Sequence, residues 1–216
     1  MPPTLYHVPK TISSPIVQIL LELDLLPDVV KIETLTFPEL KQAKHLARNP
    51  MGTSPAFTDD KLGISIWESG AVLSYLLQVY DTEYTMHPPP SAPQRDRALF
   101  LHLQQFVIAT VYPFLASLYI HTFKPIEEQD EEYIASAKDK WRTVLAPTLV
   151  MFFGTNDYFV GNKLSAIDFL MCKPFGNANS MGLLKEFPTL MAHYEKIQQR
   201  STHALAYEFH EKPWKM

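Results

Sequence analysis

The sequence predicts an α/β unit followed by an all-helical unit, and three observations carry that reading. Short strand-like and helix-like pieces alternate at the start of the chain. The run His87-Pro88-Pro89-Pro90-Ser91-Ala92-Pro93 then breaks it, and beyond that only helix-period patterns recur. The expected divisions are residues 1–83, a proline-rich linker over 84–93, and a helical domain over 94–216.

Taken in order, Leu5–Val8 reads as a strand and Pro15–Leu25 as a helix, with Ser14 as N-cap and Pro15 at its first position. Val29–Thr34 reads as a second strand, and Leu40, Ala43 and Ala47 share one face of a short helix. Ala56–Thr58 and Ile64–Trp67, joined by Asp59-Asp60-Lys61-Leu62-Gly63, pattern as an antiparallel pair. A helix begins at Ser69. This order, a crossover unit followed by a hairpin and a helix, is the thioredoxin-like plan. After the break, apolar-periodic stretches cover about 94–121, 128–153, 166–180 and 188–200.

Composition narrows the function. With 46% hydrophobic residues among 216, the chain can build a core without staples. A formal charge of -4 argues against nucleic-acid and polybasic membrane partners. The acidic run Glu127-Glu128-Gln129-Asp130-Glu131-Glu132 suits the first turn of a helix. Cys172 is the only cysteine, so an internal disulfide is impossible. The 8 histidines form no His-Glu-x-x-His pair, and there is neither a phosphate-cradling glycine loop nor a serine elbow, so no metal is expected. The apolar stretch Leu99 to Ile120 carries His102, Gln104, Gln105 and Pro113, which make a bilayer span costly. A long buried helix kinked at Pro113 is expected instead. The first residues lack a signal-peptide pattern, and a cytoplasmic location is expected.

Two stretches carry candidate chemistry. In Arg48-Asn49-Pro50-Met51-Gly52-Thr53-Ser54-Pro55 a helix ends, a turn follows and a strand begins. A cis Ser54–Pro55 bond would present the strand edge to an extended peptide, which pairs with Ser54 in strand fashion. In Trp67-Glu68-Ser69-Gly70 a carboxylate and a hydroxyl stand where strand becomes helix. Unpaired helix N–H groups and Ser69 receive a ligand carboxylate there, while Glu68 pairs with an ammonium on the same molecule.

The ordered pair of stretches resembles the glutathione site of the cytosolic glutathione transferase superfamily. Lys41 and His45 ahead of Arg48-Asn49-Pro50 are most similar to the phi/theta-like serine-type classes. Gly161-Asn162-Lys163-Leu164-Ser165-Ala166-Ile167-Asp168 and Phe187-Pro188-Thr189-Leu190 extend the resemblance over nearly the whole chain. Ser165 and Asp168 stand at capping-box spacing and are structural. The resemblance implies glutathione as cosubstrate, with Ser54 and Pro55 on its cysteinyl backbone and Glu68 with Ser69 on its γ-glutamyl end. Lys41, with His45 or Thr53, would face the glycine carboxylate. It further implies a homodimer, a detoxifying transferase of small hydrophobic electrophiles, and glutathione peroxidase activity as a further capacity.

Conjugation requires the thiolate, and a thiol of pKa ~8.5 is only about 3% ionised at pH 7. A hydroxyl donor at the start of the first helix can lower that pKa. Pro9-Lys10-Thr11-Ile12-Ser13-Ser14-Pro15 offers three. Counting back from the helix puts Thr11 at the position of the relatives' serine. Ser13 and Ser14 lie closer to the helix and rank above it. Tyr6 falls on the other face of its strand and reads as core. An electrophile site between the domains would draw on Ile12 and Leu35, with Phe106, Tyr112 and Tyr119 opposite. Two alternatives stay open: a noncatalytic binding or assembly module of this fold, and a glutathione-dependent isomerase or dehalogenase.

Overall fold

In the computed structural model, which describes residues 2–208, the strands β1 (Thr4–His7), β2 (Lys31–Thr34), β3 (Ala56–Asp59) and β4 (Ile64–Trp67) form one sheet in the order β2-β1-β3-β4. β1 is parallel to β2 and antiparallel to β3, and β3 and β4 form the expected hairpin. A parallel pair requires a crossover, which α1 (Ser14–Glu22) supplies. A 3-10 turn at Glu39–Lys41 leads into α2 (Ala43–Leu46), and α3 (Ser69–Tyr80) follows β4. Alternation along β1 sends Tyr6 and Val8 to one face of the sheet, where they pack with Leu35, Leu40, Ala56 and Trp67. Leu5, paired with Phe57, takes the other face, where Phe57 meets Tyr75 of α3 at 5.5 Å between ring centroids. His7 shares that second face.

Helix α1 departs from expectation at both ends. Ser13, not Ser14, is the N-cap, and its side chain makes no cap bond. Ser14 Oγ instead accepts the Lys10 N–H at 2.9 Å. The helix stops at Glu22, short of Leu25, because Asp24 turns to a left-handed φ of 53°. At the end of α3, Asp81 accepts from Thr85 N–H, Thr85 Oγ1, Met86 N–H and His87 Nδ1, closing the chain just before the proline-rich run.

The chain divides into two compact units, one running through His87 and resuming at Arg200, the other spanning Pro88–Gln199. The second is helical: α4 (Gln94–Phe106), α5 (Tyr112–Thr122), α6 (Glu131–Lys140), α7 (Ala146–Phe153), α8 (Ala166–Ser180) and α9 (Pro188–Gln198). π turns at Val107–Val111 and Trp141–Leu145 join α4 to α5 and α6 to α7. Each immediately precedes a helix with proline in its first turn, Pro113 and Pro147. A proline lacks the N–H and crowds the carbonyl four residues back, and widening to i→i+5 relieves both. Asp130 caps α6, with its carboxylate accepting Tyr133 N–H at 2.9 Å, so the acidic run does open a helix. Ser165 and Asp168 form the expected capping box, and His193 Nε2 lies 2.9 Å from Asp168 Oδ1 in the core.

The run Gln94–Thr122 is long and apolar enough to cross a membrane by length and composition, yet only 33% of its most apolar window is buried. It is therefore not the wholly buried helix the sequence suggested. Leu103, Val107, Val111, Leu115 and Leu118 form one buried stripe, while Leu101 and Ile120 remain exposed.

The last described helix, α10 (Ser201–Tyr207), packs on α1 and so lies with the first unit, not with the helical domain assigned over 94–216. Its anchor is Glu22, whose carboxylate accepts from Arg200 Nε at 2.7 Å and also from Arg200 Nη2 and Thr202 Oγ1. Burial pushes the Glu22 carboxyl up, but these bonds and the guanidinium charge outweigh it and hold the pKa below its ordinary value. A depressed carboxylate contributes stability above its ordinary pKa and loses it as pH falls through the folded value. Glu22→Gln should therefore cost about 2 kcal/mol at neutral pH. The gap between thermal melts of the two proteins should start to narrow as pH falls below about 4.3 and close only below the depressed value of the clamped carboxylate; a gap that does not change with pH would contradict the clamp.

Candidate functional site

The start of α1, the end of β1 and the loop before β3 meet at one oxygen, Ser13 Oγ. His7 Nδ1 lies 2.7 Å from it and Thr11 Oγ1 2.8 Å, and Ser54 Oγ donates to it at 3.1 Å. The backbone of Val8 closes the cluster: its N–H reaches Ser54 Oγ at 3.1 Å, and its carbonyl accepts from Thr11 Oγ1 at 2.7 Å and lies 3.1 Å from Ser13 Oγ. Ser13 and Ser14 are both 0% exposed, whereas Thr11 is half-buried. Of the three residues Thr11 alone keeps some surface open, while its Oγ1 is bonded inward to Val8 O and Ser13 Oγ.

The loop 49–54 is held from beneath. Asn49, fully buried, gives its Nδ2 to Thr53 O at 2.9 Å and to Thr53 Oγ1 at 3.1 Å, and its Oδ1 accepts Met51 N–H. His45 Nε2 lies 2.9 Å from the same Thr53 carbonyl. At 2% exposure His45 shapes the loop and is out of reach of a ligand carboxylate. Lys41, on the surface, donates to Gly52 O at 2.9 Å and Met51 O at 3.4 Å. Gly52 sits at φ +60°, where an added Cβ would come within 2.9 Å of Leu40 O. On the other face of the sheet, Arg48 stacks 3.8 Å over the Tyr6 ring, which confirms Tyr6 as core.

The Ser54–Pro55 bond is cis. The ladder closes at Ala56↔Trp67, so Ser54-Pro55 and Glu68-Ser69 leave the β3–β4 hairpin at the same end. Glu68 occupies φ 73°, a left-handed conformation unusual for a glutamate, immediately before Ser69 at the helix N-terminus. Its side chain is exposed, and among the described residues its carboxylate has no hydrogen-bond or ion-pair partner. A carboxylate and a helix N-terminus with a serine, placed side by side, suit the two charges of an amino-acid head group.

The apolar candidates have other neighbours. Leu35 belongs to the Tyr6 core cluster and Ile12 is buried. Phe106 is half-buried against His102 and Phe152. Tyr112 is half-buried, and Tyr119 is exposed beside Phe123. Among the described residues no group of acidic, histidine and cysteine side chains could hold a metal. Burial, and then Asp168, push the Cys172 thiol far up, so it is unreactive. Sequence reasoning passed over His7 and Asn49. The signal for His7 was its alternation with Tyr6, which aims it at the hydroxyl loop; for Asn49 it was an amide opening a turn that ends in glycine.

The glutathione S-transferase N-terminal-domain model matches residues 1–78, and the C-terminal-domain model matches 110–202. Glutathione S-transferase D6 of Drosophila melanogaster is 27% identical over 155 residues, 70% of this chain and 66% of that protein. Glutathione S-transferase 1 of Schizosaccharomyces pombe is 39% identical over 80 residues, 37% of this chain and 34% of its own length. The matched stretches thus span under two thirds of these relatives. A glutathione transferase homolog from Lodderomyces elongisporus, solved with two GSH per subunit, superposes with a TM-score of 0.83 at 18% identity, covering 96% of this chain and 98% of that one. Glutathione transferase URE2P8 from Phanerochaete chrysosporium, solved with oxidized glutathione, gives 0.81 at 22% identity over 95% and 93%. The fold is that of these proteins, a thioredoxin-like unit followed by a helical one.

The close approach at Gly52 has a measurable consequence. Gly52→Ala combines a left-handed φ with a backbone clash and should cost about 3 kcal/mol. Gly63 has a similar φ of +63° with nothing within 4 Å, so Gly63→Ala should cost about 1 kcal/mol. Equal losses in chemical denaturation would show that loop packing at Gly52 is unimportant.

Proposed function

The chain belongs to the glutathione transferase superfamily, and we propose that it binds glutathione along the edge of Ser54 and joins the intact glutathionyl group, through its sulfur, to electrophilic carbon in small hydrophobic molecules, displacing the leaving group that carbon carries. The observation that carries this reading is the bonded line from Thr11 through Ser13 to Ser54, with Glu68 and Ser69 leaving the β3–β4 hairpin at the same end as Ser54. An extended tripeptide pairs its cysteinyl backbone with Ser54. Its ammonium goes to Glu68, and its γ-glutamyl carboxylate goes to Ser69 and the first N–H groups of α3. Lys41 and Thr53, both at the surface, receive the glycine carboxylate, on a loop that His45 and Asn49 keep in place.

Thr11 is the group we assign to the thiolate. It belongs to the one residue of the three that keeps open surface, at the N-terminal end of α1 where the helix dipole also favours negative charge. Lowering a thiol pKa by about two raises the thiolate fraction roughly 25-fold at pH 7. Reduced nucleophilicity returns part of that gain, so holding the sulfur beside its electrophile supplies the rest. Peroxidase activity uses the same thiolate, and a cytoplasmic homodimer completes the proposal.

Titration calorimetry should show glutathione binding, weakened about tenfold by Glu68→Gln through loss of the ammonium partner. Retention on immobilised glutathione with turnover of a chlorodinitrobenzene supports the transferase. Retention without turnover supports a binding module, and absence of any binding heat overturns both.

A further inference from the structure

We propose that His7 is a positioning residue that decides which hydroxyl hydrogen is free for the thiolate; the proposal rests on Thr11 as the thiolate donor. Thr11 Oγ1 and Ser13 Oγ lie 2.8 Å apart, so one hydrogen stands between them, and both also reach the Val8 carbonyl, at 2.7 Å and 3.1 Å. His7 Nδ1, 2.7 Å from Ser13 Oγ, sets the sense of the Thr11–Ser13 bond. If Nδ1 is an acceptor, it takes the Ser13 hydrogen, and Thr11 donates inward to Ser13 Oγ or Val8 O. If Nδ1 carries hydrogen, it donates to Ser13 Oγ, Ser13 donates to Thr11 Oγ1, and the Thr11 hydrogen can turn from Val8 O toward a sulfur. Donor chains of this kind strengthen one another in a buried setting. No bond is made or broken within the chain, and the proton lost by the thiol goes to solvent.

His7 is 0% exposed, so its tautomer is set by the protein. The ionisable groups of the elements packed on its face are Glu22 on α1, Asp59 on β3, Tyr75 and Tyr80 on α3, and His203 on α10. Glu22 is held by Arg200 and Thr202, Asp59 Oδ1 accepts the N–H groups of Lys61 and Leu62, and His203 stacks on Tyr207 at 4.3 Å. Lys10 lies in the hydroxyl loop itself, with its N–H on Ser14.

The test reads the pKa of bound glutathione by ultraviolet thiolate absorbance in wild type, Thr11→Val, His7→Leu and His7→Asn. Binding of S-methylglutathione, which has no thiol, reports site integrity. His7→Leu should raise the thiol pKa by about one, a tenfold loss of thiolate below that pKa, with S-methylglutathione affinity within about threefold of wild type. His7→Asn keeps an amide donor and should recover at least half of the effect. Thr11→Val raising the pKa while His7→Leu leaves it unchanged at intact S-methylglutathione binding overturns this inference alone. A silent Thr11→Val overturns the assignment of Thr11 and this inference with it. If His7→Leu loses the site altogether, nitrogen NMR of the wild-type imidazole with glutathione bound decides: Nδ1–H is expected, and Nε2–H overturns the proposal.

Discussion

A single fully buried oxygen, Ser13 Oγ, ties three parts of the first unit together: the end of β1 through His7 and Val8, the loop before β3 through Ser54, and the hydroxyl loop through Thr11. The Val8 backbone adds direct bonds to Ser54 and Thr11, at a corner where the strand ladder ends at His7 and Ala56 and α1 begins at Ser14. Each buried partner left without its hydrogen bond costs about 1–3 kcal/mol, so a cluster this dense is held as a whole or lost as a whole. Of the three hydroxyl residues of that loop Thr11 alone keeps open surface, and Ser13 and Ser14 lie behind it.

Around that corner the chain spends its conformational freedom on a rigid backbone edge. Asn49, His45 and Lys41 all bond carbonyls of the 51–53 turn, so the turn is fixed before any ligand arrives. Glu68 is kept in a left-handed conformation at the start of α3, a cost that packing of the hairpin and helix must offset. Edges fixed in advance lose little entropy when a flexible tripeptide binds, and on the proposed function that preorganisation sets the affinity for glutathione.

Much of this was legible in the sequence, for identifiable reasons. The strand order, the hairpin and the starts of α3 and α8 follow from local patterns: period-two alternation, Ser69 after a strand, and the Ser165–Asp168 capping pair. Other features depend on contacts that sequence spacing does not encode. Two adjacent serines before Pro15 look alike as caps, and only burial separates them from Thr11. Helix α10 joins the first unit through Glu22, an attachment across 178 residues of chain that no periodicity reports. Pro113 announced a break in the long apolar helix, but the π turn that absorbs it, and the matching one before Pro147, are packing outcomes. His45 and Leu35 were chosen as ligand-facing, yet one holds a turn and the other fills the Tyr6 core.

The measurement that tests the account most directly is a crystal structure with glutathione bound. The account predicts the sulfur within hydrogen-bond distance of Thr11 Oγ1, Ser13 Oγ still bonded to His7 and Ser54, and the γ-glutamyl group between Glu68 and the start of α3. A tripeptide whose sulfur lies away from Thr11, or one bound with the Ser13 cluster dismantled, would contradict it.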